Sequence, residues 1–77
     1  MRIQVLGTGC QKCKQLTANA EQAVAELALG ATVEKVEDLR EIMKFRVMAT
    51  PALVVDGQVR SAGKVLSPSE VKKVLAG

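Results

Sequence analysis

Residues 7–13, with the sequence GTGCQKC, join a strand pattern to a helical pattern and contain both cysteines of the chain. Before this segment, residues 2–6 alternate between apolar and polar side chains, which predicts a first strand. After it, apolar residues recur at steps of three and four, which predicts a helix over residues 11–29 with Gly30 as its C-cap. A short strand followed directly by a long helix favours an α/β fold with the cysteines at the junction.

The segment after this helix predicts a second strand and a short second helix. Residues 31–36, ATVEKV, have strand character. Asp38 followed by Glu41 has the spacing of a capping box, so a helix is expected to begin there and to end near Phe45 or Arg46. Because Phe45 is the only aromatic residue, we expect a core of aliphatic and methionine side chains. The residues expected to face this core from the second helix and the segment after it are Leu39, Ile42, Met43 and Met48.

The C-terminal part of the chain predicts a hairpin followed by a helix. Residues 52–55 form a continuous apolar strand, Asp56-Gly57 is a strong hairpin turn signal, and residues 58–61 form the returning strand. Residues 67–70, SPSE, combine an N-cap serine, a proline at the first helical position and a glutamate at the third. The order βαβαββα predicts a four-stranded mixed sheet flanked by three helices, with a parallel crossover first and an antiparallel hairpin later.

The length, charge and hydropathy of the chain disfavour several classes of protein. Residues 1–77 are expected to form one small domain. The net charge of +3 comes from scattered residues, and a single aromatic side chain offers no stacking surface, so we expect no nucleic acid partner. No apolar run has the length of a signal peptide or a membrane span. We therefore expect a cytoplasmic protein that does not insert into membranes, and we take a monomer as the starting expectation.

Cys10 and Cys13 have three interpretations: packing, metal binding and redox exchange. Packing alone is disfavoured because Cys10 lies between Gly9 and Gln11, in a turn with little core around it. The chain has no histidine and no second cysteine pair, so zinc would need ligands from another molecule, whereas copper(I) suits two thiolates. Redox exchange fits a Cys-x-x-Cys sequence near a βαβ pattern in a reducing compartment, where a transient disulfide is expected rather than a permanent one.

The predicted helix places the two thiols in unequal environments. Cys10 is expected at or near the N-cap, where unpaired backbone N–H groups and the helix dipole favour a thiolate. Cys13 falls in the first turn, on the apolar face of the helix. Since a thiolate attacks a disulfide and a second thiol can resolve the mixed disulfide, Cys10 is the candidate nucleophile and Cys13 the candidate resolving thiol.

Together with Thr50-Pro51, these motifs resemble those of small archaeal and bacterial thioredoxin-like proteins with a redox-active disulfide. The resemblance rests on GTGCQKC, ATPALVVDGQV and SPSE, and it covers essentially the whole chain. It implies a minimal thioredoxin fold and thiol-disulfide oxidoreductase activity without a bound cofactor or metal. It also implies a protein disulfide substrate, an upstream reductase, and a place in electron transport and cell redox homeostasis.

The same resemblance implies a substrate site around the cysteines. Pro51 matches the cis-proline that faces the Cys-x-x-Cys motif in this family, and Thr50 matches the residue whose backbone pairs with an extended substrate segment. Gly9 precedes the first cysteine, where full-length thioredoxins have tryptophan, and it is also assigned to the substrate site. No acidic residue in the first strand or long helix matches the buried aspartate of full-length thioredoxins, and the electron donor is left open.

Two alternatives remain at this point. Small heavy-metal-associated domains also place Gly-x-x-Cys-x-x-Cys between a strand and a helix, and they bind copper(I) through the two thiolates. A soft-metal binding domain or chaperone could therefore use Cys10 and Cys13, although the βαββαβ order of those domains fits this chain poorly. The second alternative is a thiol-bearing adaptor that docks to a larger membrane or resistance protein.

Overall fold

The computed structural model describes residues 1–76, and its elements follow the predicted order βαβαββα. The strands begin and end within two residues of the predicted positions. None of the helices within the described residues is long and apolar enough to cross a membrane. The elements are β1 (Ile3–Leu6), α1 (Gln11–Leu27), β2 (Val33–Val36), α2 (Leu39–Lys44), β3 (Ala52–Val55), β4 (Gln58–Ala62) and α3 (Pro68–Ala76).

The four strands form one mixed sheet in the order β2-β1-β3-β4. β1 is parallel to β2, to which it is connected through α1, and antiparallel to β3. β3 and β4 form the predicted antiparallel hairpin, whose turn residues Asp56 and Gly57 both have positive φ. The sheet and its three helices make the α/β fold that was predicted. β1 and β3 occupy the centre of the sheet, and every residue of both strands is buried.

The core lies on both faces of the sheet because successive strand residues point to opposite sides. The larger cluster joins Ile3 and Val5 of β1 to α1 and α3, and the smaller cluster joins Leu6 of β1 to α2. α1, which carries Cys13, packs into the larger cluster through Leu16. The first turn of α1 is therefore held against the carboxyl end of β1, at one end of the sheet.

The predicted end of α1 was wrong by two residues. The helix ends at Leu27, and Ala28 forms the C-cap in the left-handed conformation with φ 52°. Its N–H donates to the carbonyl groups of Val24 and Ala25, which supplies partners for carbonyls at the helix end. Leu29 lies beyond the cap and is exposed, so it gains no packing that would extend the helix. Gly30 has positive φ as expected of a turn glycine, but it does not cap the helix.

The predicted inward positions of α2 were wrong for all residues but one. Ile42 is buried, whereas Leu39 and Met43 are exposed and Met48, in the segment after α2, is 99% exposed. The sheet face beneath α2 is small and consists of Leu6, Ala52 and Val54. Because α2 has only six residues, the single side chain of Ile42 is enough to cover this face. The aliphatic core is confirmed, but it excludes these methionines.

Candidate active site

Cys10 is the N-cap of α1, as the sequence predicts. Its backbone is extended, with φ −69° and ψ 167°, and its Sγ accepts a hydrogen bond from the backbone N–H of Cys13 at 3.3 Å. Gly9 has φ +88°, a conformation that side chains disfavour, and it turns the chain from β1 into the helix. The first turn of α1 contains no acidic residue. The sequence therefore places a sulfur atom where backbone N–H groups and the helix dipole meet.

The two sulfur atoms lie 2.6 Å apart, and their exposure differs. Cys10 is exposed to solvent, whereas the side chain of Cys13 is 5% exposed. The two side chains are in direct contact as free thiols. The exposed Cys10 sulfur can therefore contact a protein substrate, whereas the buried Cys13 sulfur can contact only Cys10.

The hydrogen bonds of the pair shift the two pKa values in opposite directions. The Cys13 thiol, followed by the Cys13 backbone N–H, holds the pKa of Cys10 below the ordinary thiol value. Burial raises the pKa of the Cys13 thiol, and its hydrogen bond to Cys10 raises it further. A donor stabilises the thiolate that accepts it, while desolvation disfavours a buried charge. Cys10 is thus the sulfur that ionises first, and Cys13 is the proton-bearing partner.

A narrow cleft beside Cys13 connects the buried thiol with solvent. Its volume is about 40 Å³, and Gly7, Gly9, Lys14 and Glu37 contribute to its lining. This space is sufficient for water but too small for a polypeptide segment. A protein disulfide can therefore approach Cys10 but not Cys13, while the Cys13 proton can still reach solvent.

Thr50 and Pro51 lie beside the cysteine loop because of the strand register. Leu6 at the end of β1 pairs with Ala52 at the start of β3, so the same antiparallel register places Gly7 opposite Pro51. Pro51 is buried, and its carbonyl accepts a hydrogen bond from the Gly63 N–H at 2.9 Å. Thr50 is exposed, and the peptide bond between Thr50 and Pro51 is cis, as predicted.

The structure brings the five sequence-predicted site residues to one end of the sheet. Cys10 and Cys13 are in direct contact, Gly9 forms the turn before them, and the strand register brings Thr50-Pro51 alongside. Two further residues of the same region, Gly7 and Glu37, were not predicted from the sequence. Gly7 had a visible signal, since it is a second glycine in a turn that Gly9 alone could form.

Cys10 and Cys13 are the thiol ligands that this loop could offer to a metal ion. No group of three or more Cys, Asp and Glu side chains in that part of the chain could hold a metal ion. Two sulfur atoms at the N-terminus of α1 could bind a two-coordinate soft ion, and a tetrahedral ion would need further ligands from outside the chain.

Comparisons with known proteins agree with this geometry. A family model described as a thioredoxin domain matches residues 1–76. The chain is 42% identical over 76 residues to a protein named thioredoxin from Methanothermobacter thermautotrophicus, with 99% of each chain covered. It is 40% identical over 73 residues to a thioredoxin from Methanocaldococcus jannaschii, covering 95% of this chain and 84% of the relative.

Proposed function

The chain belongs to the thioredoxin family, and we propose that it reduces protein disulfides, with Cys10 as the attacking thiolate and Cys13 as the resolving thiol. The observation that carries this assignment is the contact between one exposed and one buried sulfur, 2.6 Å apart at the N-terminus of α1. A thiolate attacks a disulfide only where the substrate can reach it, and Cys10 is the accessible sulfur.

In the first step, the Cys10 thiolate attacks one sulfur of the substrate disulfide. A bond forms between Cys10 Sγ and that sulfur, the substrate S–S bond breaks, and the second substrate sulfur leaves as a thiolate with the electron pair. The hydrogen bonds from Cys13 lower the pKa of Cys10. A lower pKa increases the fraction of Cys10 that is thiolate, the attacking form, at neutral pH.

In the second step, Cys13 attacks Cys10 Sγ in the mixed disulfide. Cys13 loses its proton to solvent through the cleft, an S–S bond forms between the two cysteines, and the substrate leaves as its second thiolate. Two electrons have then passed to the substrate, and an upstream reductase returns the pair to the dithiol. The cysteines carry the electrons, so the proposed reaction needs no bound cofactor.

We also propose a substrate edge formed by Gly9, Thr50 and Pro51. Thr50 is exposed two residues before β3 and lies next to the cysteine loop, so its backbone is available to pair with an extended segment of a substrate. Protein disulfides as substrates, the cytoplasm as the site of action and a monomer as the working form belong to the same proposal.

The test is turnover of a model protein disulfide with dithiothreitol as the electron source. We expect the wild type to be active, Cys10→Ser to be inactive, and Cys13→Ser to accumulate a mixed disulfide instead of turning over. Thr32→Ser, at an exposed position between α1 and β2, is the matched control and is expected to match the wild type. Reductase activity in both cysteine variants would contradict the mechanism, as would tight one-to-one copper(I) binding by a wild type that exchanges no disulfides.

A further inference from the structure

Gly7 occupies a buried position between β1 and the cysteine loop where no unusual backbone conformation requires glycine. Its N–H donates to the carbonyl of Val36 at 3.0 Å, so its backbone continues the ladder between β1 and β2. Its φ lies outside the left-handed region, unlike that of Gly9. The usual conformational reason for glycine is therefore absent, and the reason has to be steric.

The space that a Gly7 side chain would need is filled by Cys13. A Cβ atom added at Gly7 would meet Cys13 Sγ far inside van der Waals contact and would lie 3.0 Å from Cys13 Cβ. Cys13 Cβ is fixed by the first turn of α1, whose neighbouring turn is anchored by fully buried Leu16. A methyl group at Gly7 would thus have to displace the thiol itself.

We propose that Gly7 is a positioning residue for the resolving thiol: its missing side chain forms the slot that holds Cys13 Sγ against Cys10 Sγ. This inference rests on the proposed exchange reaction and adds to it a residue outside the Cys-x-x-Cys motif. Gly7 thereby supports the closing step, in which Cys13 attacks Cys10 and the substrate sulfur leaves.

Crowding at Gly7 should affect the oxidised protein more than the reduced one. In the dithiol, Cys13 Sγ can rotate about χ1 away from an added methyl group. In the disulfide, the same sulfur is bonded at both ends and must satisfy narrow limits on the S–S length and torsion. Gly7→Ala therefore disfavours disulfide closure, while the first attack is made by the exposed Cys10.

We expect Gly7→Ala to lower the rate of disulfide closure about tenfold and to shift the equilibrium about tenfold from the disulfide towards the dithiol. This size is consistent with adding one methyl group to a well-packed site. For this two-electron couple, tenfold corresponds to a reduction potential about 30 mV more positive. The first attack by Cys10 should slow less than closure does, so the mixed disulfide should live longer.

The measurements are the potential, from equilibration with a glutathione redox buffer, and the lifetime of the mixed disulfide in a single turnover. Gly30→Ala is the control, because Gly30 has φ +66° and an added Cβ there has no neighbour within 4 Å. It should lower folding stability through backbone strain and leave the potential and the lifetime unchanged. An unchanged potential and closure rate in folded Gly7→Ala would overturn the proposal.

A double-mutant cycle keeps the proposal testable if Gly7→Ala folds poorly. Removing the Cys13 sulfur vacates the slot, so the stability loss caused by Gly7→Ala should shrink in the Cys13→Ala background. An equal loss in both backgrounds, or failure of the double variant to fold, would overturn the steric assignment. Because this cycle measures folding alone, it is independent of disulfide exchange, whereas failure of the wild type to exchange would contradict the proposed function instead.

Discussion

Cys10 combines two roles that substitution can separate: it is the proposed nucleophile and the N-cap of α1. Its Sγ accepts the Cys13 N–H at 3.3 Å and so satisfies one of the unpaired donors at the helix start. Serine retains a capping acceptor without the sulfur, and alanine retains neither. We therefore expect Cys10→Ser and Cys10→Ala to lose disulfide reduction equally but to differ in folding stability.

The size of that difference follows from the capping geometry. A thiol sulfur is a weak acceptor, whereas a serine hydroxyl is among the best N-caps. Loss of an N-cap acceptor in a domain of this size lowers Tm by roughly 4–8 °C. We measure Tm under reducing conditions at mildly acidic pH, where thiolate stabilisation is smallest. We expect the Tm of Cys10→Ser to lie at or above that of the wild type and the Tm of Cys10→Ala to lie below both.

Thermal unfolding followed by circular dichroism, in excess dithiothreitol, measures this order. Ser67→Ala supplies an internal reference, because Ser67 caps α3 by accepting the Glu70 N–H at 3.2 Å. The Tm of Ser67→Ala should fall by an amount similar to that expected for the loss of the Cys10 cap. Equal Tm values for Cys10→Ser and Cys10→Ala would refute the capping role, and residual turnover in either variant would refute the nucleophile assignment.

Three further predictions concern pH and folding. The pKa of Cys10 is lowered in the folded protein, so its thiolate contributes stability that is fully present above the unfolded thiol pKa, about 8.5, and is lost as pH falls through the folded value. Urea unfolding from pH 6 to 9 should therefore show the wild type gaining stability relative to Cys10→Ser as pH rises, and a constant difference would contradict this. Leu16→Ala removes a fully buried side chain of α1 and should lower the free energy of unfolding by about 2–5 kcal/mol in the same assay. Gly57→Ala forces a side chain into φ +82° and should cost about 1–2 kcal/mol, whereas no measurable loss would contradict the turn geometry.

The order of elements could be predicted because local signals coincide with the tertiary structure. Asp56-Gly57 forms the hairpin turn because both residues have positive φ, and Ser67 caps α3 with the reciprocal bond from the Ser67 N–H to Glu70. The position of Cys10 at the N-cap followed from the change of period at Gly9. These features depend on neighbours in sequence, which a single chain shows directly.

Features set by distant neighbours could not be predicted in the same way. Met43 and Leu39 have the spacing of a buried helical face, yet the apolar sheet surface beneath α2 is covered by Ile42 and leaves both side chains exposed. The slot at Gly7 depends on a contact with Cys13, and the approach of Glu37 to Gly9 depends on the crossover to β2. Such contacts are decided by how the elements pack, and a local pattern such as the second glycine at position 7 does not identify the partner residue.

The most direct test of the account is to identify which sulfur holds the substrate. Cys13→Ser is mixed with a model protein disulfide, the trapped adduct is digested without reductant, and mass spectrometry maps the linkage; Cys10→Ser is treated in parallel. We predict an adduct on Cys10 in the first variant and little adduct on buried Cys13 in the second. A rapid and stoichiometric adduct on Cys13 in Cys10→Ser, with none on Cys10 in Cys13→Ser, would contradict the division of roles between the two thiols.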